Sequence, residues 1–242
     1  MSNDPTAQGR EPGAAMPRLR DQAFSGARWT SLASVVRIVL QFAQLAILAR
    51  LLPPADFGNM AVVLAVIAFA QIFADLGVSN AIITRTSITA STLSSLYWLN
   101  IFASACVALI LLVCAPWVAS FYGEPVLQPL LSLAGLHLLV TASWQQLRVL
   151  AEKELRFETL ARIEIGASIA GLVVAVTMAW AGAGVYALIG GVLAVSATGA
   201  GLAWLLLARG WRPQLRLRFG EIRGYLAFGT YMIGNDIANT VS

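Results

Sequence analysis

Charge is scarce in this sequence. Only 12% of its 242 residues are charged, about half the share of a typical soluble domain. There is one lysine, Lys153, one histidine, His137, and two cysteines, Cys106 and Cys114. Each shortage excludes something. With 58% hydrophobic residues and a mean hydropathy of +0.75, the low charge excludes an ordinary soluble domain. The two cysteines lie two helical turns apart inside one apolar run, without zinc-ligand company, and read as small buried apolar residues. A single histidine restricts the usual catalytic triads, and no phosphate loop or serine elbow is present. No covalent chemistry, cofactor or metal is therefore expected. The net charge of +4 comes from fifteen arginines and one lysine against twelve acids. These arginines lie between greasy runs, which points to membrane orientation and not to nucleic acid.

What the chain has in abundance is apolar runs of membrane-spanning length. They cover roughly 29–51, 57–83, 93–120, 126–147, 163–181 and 185–208, and a seventh starts near Tyr225 and stops at Ser242. About 20 residues of helix cross the hydrocarbon. The runs are too long for strands and lack period-two alternation. The expected fold is all-α, a polytopic transmembrane helix bundle. Residues 1–28 read as a polar, Gly- and Pro-rich cytoplasmic tail, disordered and then interfacial near Phe24 to Trp29. Residues 29–208 read as a six-helix bundle, 209–224 as a basic cytoplasmic linker, and 225–242 as the truncated start of a seventh helix. The links at 52–56, 121–125 and 182–184 are short enough to predict antiparallel helical hairpins. The charged stretch "RVLAEKELRFETLARIE" predicts a short helical elbow, with Glu158 and Arg162 spaced for an i,i+4 pair.

Arginine placement predicts orientation. With the N-terminus in the cytoplasm, 14 of the 16 basic residues fall on the cytoplasmic side, Arg50 falls opposite, and Arg37 lies within a span. This is a strong positive-inside bias. Trp29, Trp98, Trp117, Trp180 and Trp211 fall near span ends, as an interfacial belt requires. Gly191, Ser196, Gly199 and Gly201, and "GASIAG" from Gly166 to Gly171, predict close helix approach.

Some polar residues sit where lipid should not see them. Ser34, Arg37, Gln41 and Gln44 are spaced three, four and three apart and form one stripe on the first helix. Arg37 alone is explained equally by snorkelling to the headgroups. A stripe facing a polar passage explains all four together. Asp75, near the inner end of the second run, is placed to pair with Arg37 across adjacent helices, as a structural clamp or as a gate or coupling element. Gln71 shares its face. Asn100 and His137 are weaker signals, and Glu164 reads as interfacial. Near the end of the chain, Asn235, Asp236 and Asn239 form a polar cluster within the seventh run. The five arginines of "RGWRPQLRLRFGEIRG" fit topology and anionic-lipid contact, or attraction of a phosphorylated lipid substrate.

Three stretches together resemble a known family. "ARLLPPADFGNMAVVLAVIAFAQIFADLGVSNAIITR" is similar to the first hairpin of bacterial polysaccharide flippases of the lipopolysaccharide and exopolysaccharide type. "LRVLAEKELRFETLARIEI" resembles their fourth-to-fifth helix elbow, and "LRFGEIRGYLAFGTYMIGNDIAN" their seventh-helix approach. The resemblance covers roughly residues 25–242. It implies a member of the multidrug, oligosaccharidyl-lipid and polysaccharide exporter superfamily, with 12 or more helices in two bundles around a central cavity. By that likeness this chain is the N-terminal half. It implies flipping of undecaprenyl-pyrophosphate-linked oligosaccharide repeats across the bacterial inner membrane by alternating access. H+ or Na+ is implied as the coupling ion, and membrane lipids and polymerase machinery as partners. Arg37, Gln41 and Gln44 would then line the cavity. A multidrug extrusion carrier of the same superfamily and a membrane enzyme of polysaccharide assembly are the alternatives.

Overall fold

The computed structural model describes the backbone of residues 15–75 and 90–208 and the side chains of 28–74 and 92–208. The basic linker, the seventh run with Asn235, Asp236 and Asn239, and Trp211 lie outside the described residues. Six helices make up the described chain: α1 Ala15–Leu51, α2 Pro54–Asp75, α3 Ala90–Tyr122, α4 Leu127–Lys153, α5 Phe157–Trp180 and α6 Tyr186–Leu206. No strand occurs among the described residues. All six helices are long and apolar enough to cross a membrane, with spans of 21 to 31 residues. The protein is a multi-pass membrane helix bundle.

Helix ends explain where the chain turns. Pro54 opens α2 at the first helical position, where its missing N–H costs nothing, and Asp56 in the first turn complements the helix dipole. The second helix therefore begins three residues earlier than its apolar pattern suggested. At the end of α3, Gly123 takes φ +68. Its N–H donates to the Ser120 carbonyl, and that of Glu124 donates to Ala119. At the end of α5, Gly182 takes φ +79; its N–H donates to Ala179 and that of Ala183 to Met178. Both are Schellman endings, in which left-handed glycine reverses the chain and satisfies orphan carbonyls.

The same motif ends α4 with a leucine. Leu155 has φ 57; its N–H donates to Glu152, and that of Arg156 donates to Ala151 at 2.8 Å. The expected elbow is thus a turn of only three residues, with α4 and α5 running into it from both sides. Its charges pair along and across helices instead of filling a loop. Glu158 and Arg162 form the expected i,i+4 pair. The third helix likewise continues past Pro116 to Tyr122, since prolines are tolerated in membrane helices where neighbouring groups satisfy the freed carbonyl.

The helices pack α5 on α6, α3 on α4, α1 on α5, α4 on α6, and α2 on both α3 and α4. Consecutive helices α1 and α2 do not lie along each other. The first link is therefore no tight hairpin: it carries the chain between two different parts of the bundle. Arg28, Arg148, Lys153, Arg156 and Arg162 all lie at one end, called here the basic end. Most of the larger apolar core, with Leu48, Val63, Leu127, Leu130 and Ile189, fills the bundle away from that end. A smaller core of Leu147, Leu160, Ile163 and Ala203 joins α4, α5 and α6 at the basic end.

Small residues set the α5–α6 spacing. A Cβ on Gly191 would lie 2.9 Å from Ala175 Cβ and 3.2 Å from the Gly171 carbonyl. Gly199 faces the Trp144 ring, whereas Gly201 has open space around it and plays no part in close approach. Large apolar side chains such as Phe42, Phe102, Leu109 and Phe121 point outward, as a lipid-facing surface allows. Cys106 joins them on that surface, in place of the buried position expected for it.

Candidate functional site

The polar stripe of α1 borders the seam along which α1 packs on the bundle. Ala33 and Leu48 are buried in the packed side. Ser34 and Gln44 are half-buried beside them, and Arg37 and Gln41 are exposed. Gln44 is the one drawn inward: its Nε2 lies 3.3 Å from the point where a Gly191 Cβ would sit. Among the described residues no carboxylate pairs with Arg37. Asp75 is the last residue of α2, and α2 packs on α3 and α4, away from α1. The packing thus gives no support to an Arg37–Asp75 pair between adjacent helices. Arg37 and Gln41 instead form an open polar edge.

A second polar feature lies inside the bundle, toward the basic end between α2, α3 and α4. It is a cleft of about 280 Å³ with Gln71, Asn100, Ser104, Thr141, Gln145 and Arg148 on its walls. Ala74, Leu138 and Ala142 supply its apolar surface. Asn100 and Ser104 are almost wholly buried. Arg148 stands at the mouth and bridges two helices: its Nε donates to Glu152 at 3.0 Å, and its Nη2 lies 3.1 Å from Glu164 of α5. Nearby, Arg156 Nη2 donates to the Leu206 carbonyl at the end of α6. The ion pairs hold the basic ends of α4 and α5 together and fix the guanidinium in place.

The cleft is the mouth of a longer polar row. His137, Thr141, Gln145, Arg148 and Glu152 follow each other at spacings of four, four, three and four on α4, which is one helix face. His137 Nδ1 and Thr141 Oγ1 are buried without a hydrogen-bond partner, as are Trp144 Nε1 and both side-chain polar atoms of Gln146. Such groups are costly to bury unsatisfied in hydrocarbon. In the sequence His137 and Asn100 stand as weaker signals and Gln71 as a neighbour of Asp75 on one face, while Ser104, Thr141 and Gln145 carry no signal of their own. The spacing along α4 was the available signal, obscured because the positions between mix apolar residues with other polar ones, Ser143 and Gln146.

The comparisons with known proteins fit this architecture. A family described as "Polysaccharide biosynthesis protein" matches residues 47–242. The chain belongs to that family. It is 32% identical to the lipopolysaccharide biosynthesis protein WzxC of Escherichia coli, over 91% of this chain and 45% of that protein. It is 30% identical to the teichuronic acid biosynthesis protein TuaB of Bacillus subtilis, over 93% and 46%. It is 27% identical to the succinoglycan biosynthesis transport protein ExoT of Rhizobium meliloti, over 88% and 43%. The chain therefore spans a little under half the length of each of these relatives. No solved structure matches it. Membership places a six-span membrane bundle, with polar features on α1 and between α2, α3 and α4, among proteins of polysaccharide assembly and transport.

Proposed function

We propose that this chain forms the first bundle of a bacterial inner-membrane flippase. Its substrate is an undecaprenyl-pyrophosphate-linked oligosaccharide repeat unit, moved from the inner to the outer leaflet for surface polysaccharide export. The observation that carries the reading is an open polar edge, Arg37 and Gln41, on a membrane helix of a family member related to polysaccharide transport proteins. Snorkelling relieves the cost of Arg37 alone, whereas a polar passage facing the edge relieves that of Arg37 and Gln41 together. In this reading residues 29–208 are one bundle, 209–224 a basic cytoplasmic linker, and 225–242 open the second bundle. Asn235, Asp236 and Asn239 are then candidates for the substrate cavity or the coupling. The 1–28 segment and the basic end lie in the cytoplasm, where arginines of the linker attract the pyrophosphate. Movement is by alternating access drawn from a gradient of H+ or Na+, with Asp75 as a candidate for the coupling, and the product passes to polymerase machinery. The protein moves its substrate and leaves its covalent bonds unchanged.

The test is a strain lacking the full-length parent, restored with the intact chain or with Arg37→Ala at matched membrane levels. Loss of surface polysaccharide together with accumulation of lipid-linked repeat on the inner leaflet is expected without the parent. Normal export and no accumulation in that strain would overturn the flippase reading.

A further inference from the structure

We infer that the cleft between α2, α3 and α4 is a subsite for a single uncharged sugar ring, apart from the α1 edge; the inference rests on the flippase reading. Three properties of the cleft point to this ligand. The first is the chemistry of its walls. Gln71, Asn100 and Gln145 carry amides, and Ser104 and Thr141 carry hydroxyls. Each of these groups both donates and accepts hydrogen bonds, as every sugar hydroxyl does. Thr141 lines the cleft and its Oγ1 is buried with no partner of its own; rotation of its side chain toward the cleft would bring that group to a ligand hydroxyl.

The second property is charge. Among the described residues Arg148 is the only ionised side chain on the walls, and two carboxylates already hold it, Glu152 and Glu164. The one cation on the described walls is therefore already matched by two carboxylates. An anion such as a pyrophosphate is not favoured here. The paired guanidinium keeps N–H groups that are free of the carboxylates, and these suit neutral hydroxyl or ring oxygens. The third property is size. A volume of about 280 Å³ lies just under the roughly 300–1,000 Å³ of sites for drug-sized ligands. It has room for one ring and not for a whole repeat unit. The two polar features then divide the work: α1 with the linker meets the charged lipid-proximal part, and the cleft takes a neutral sugar.

The cleft opens toward the basic end, so its occupancy can be read by thiol protection. The full-length parent is used with Cys106 and Cys114 replaced by alanine and Ala74→Cys at the cleft rim, a position that supplies no polar group to the walls. Labelling by a water-soluble maleimide is timed in mild detergent with glucose, galactose, mannose or N-acetylglucosamine. Ser120→Cys at the opposite end serves as the control. At least one sugar is expected to slow labelling of the rim thiol by one plus the ratio of its concentration to Kd, about threefold at twice Kd. Phosphate at matched ionic strength is expected to leave the rate unchanged. Adding the near-isosteric Thr141→Val, with Asn100→Leu as a second variant, is expected to abolish protection while labelling without sugar persists. No slowing by any of the four sugars, equal slowing by phosphate, or protection that survives both wall variants would each overturn the subsite. Leaflet-to-leaflet movement of lipid-linked saccharide by the same preparation separates the two readings. Movement without protection sinks the subsite alone, and protection without movement sinks the flippase reading alone.

Discussion

Leu155 is the residue with the clearest local conflict. A left-handed backbone costs an L-residue roughly 1–2 kcal/mol, and Leu155 takes it at φ 57 where Gly123 and Gly182 do the same job without that cost. Its side chain is 45% exposed, so little packing is lost on its removal. Leu155→Gly is expected to stabilise the protein by about 1 kcal/mol, less the extra freedom of glycine in the unfolded chain. A higher thermal midpoint in detergent checks it. Arg37 is a different case. Its charge is unpaired among the described carboxylates and it is exposed, so Arg37→Ala is expected to leave the thermal midpoint nearly unchanged while lowering export. A variant that unfolds with unchanged export per folded molecule would make Arg37 structural. Arg148 stands between the two, since its ion pairs are partly exposed and worth at most about 1 kcal/mol to stability. Their main effect is to hold the guanidinium at the cleft mouth.

At the level of elements, the α5–α6 crossing tests the packing most sharply. Gly191→Ala puts a methyl 2.9 Å from Ala175 Cβ and near the Gly171 carbonyl. Overpacking of this kind costs roughly 1–3 kcal/mol. Gly201→Ala, on the same helix with open space around it, is expected to be neutral. A pair of thermal midpoints measures the contrast, and equal shifts would contradict the crossing geometry. Both glycines look alike in the sequence, because composition marks a small-residue helix but not which small residue meets a neighbour. The six spans were legible for a robust reason: hydrocarbon thickness imposes length and apolarity on each run. The α1 stripe was legible because four polar residues recur at helical spacing in an otherwise apolar run. The partner of α1 was not. Short links suggested α1 against α2, but link length limits only the ends of two helices. Side-chain fit along their length decides packing, and it put α1 on α5. The cleft was hidden for the same reason, since its walls come from three helices and no single stretch carries it.

At the scale of the whole molecule, orientation and passage are the claims at stake. The basic end is expected to face the cytoplasm. In intact cells, with Cys106 and Cys114 replaced, a membrane-impermeant maleimide is expected to label Ser120→Cys at the opposite end at once. Glu154→Cys, exposed at the basic end, is expected to react only after permeabilisation, and the reverse pattern would invert the topology. The open edge of α1 gives the bundle a polar flank that lipid does not satisfy, which suits a protein whose relatives are about twice as long. The most direct test is movement itself. The full-length parent is reconstituted into vesicles carrying an undecaprenyl-pyrophosphate-linked saccharide in both leaflets, with an ion gradient applied. A glycosidase added outside reads how much saccharide reaches the outer leaflet. The account predicts that the enzyme digests nearly all of the saccharide with the intact protein, and only the initially outer pool with Arg37→Ala, Gln41→Leu. Digestion that stops at the outer pool with the intact protein, as in protein-free vesicles, would contradict it.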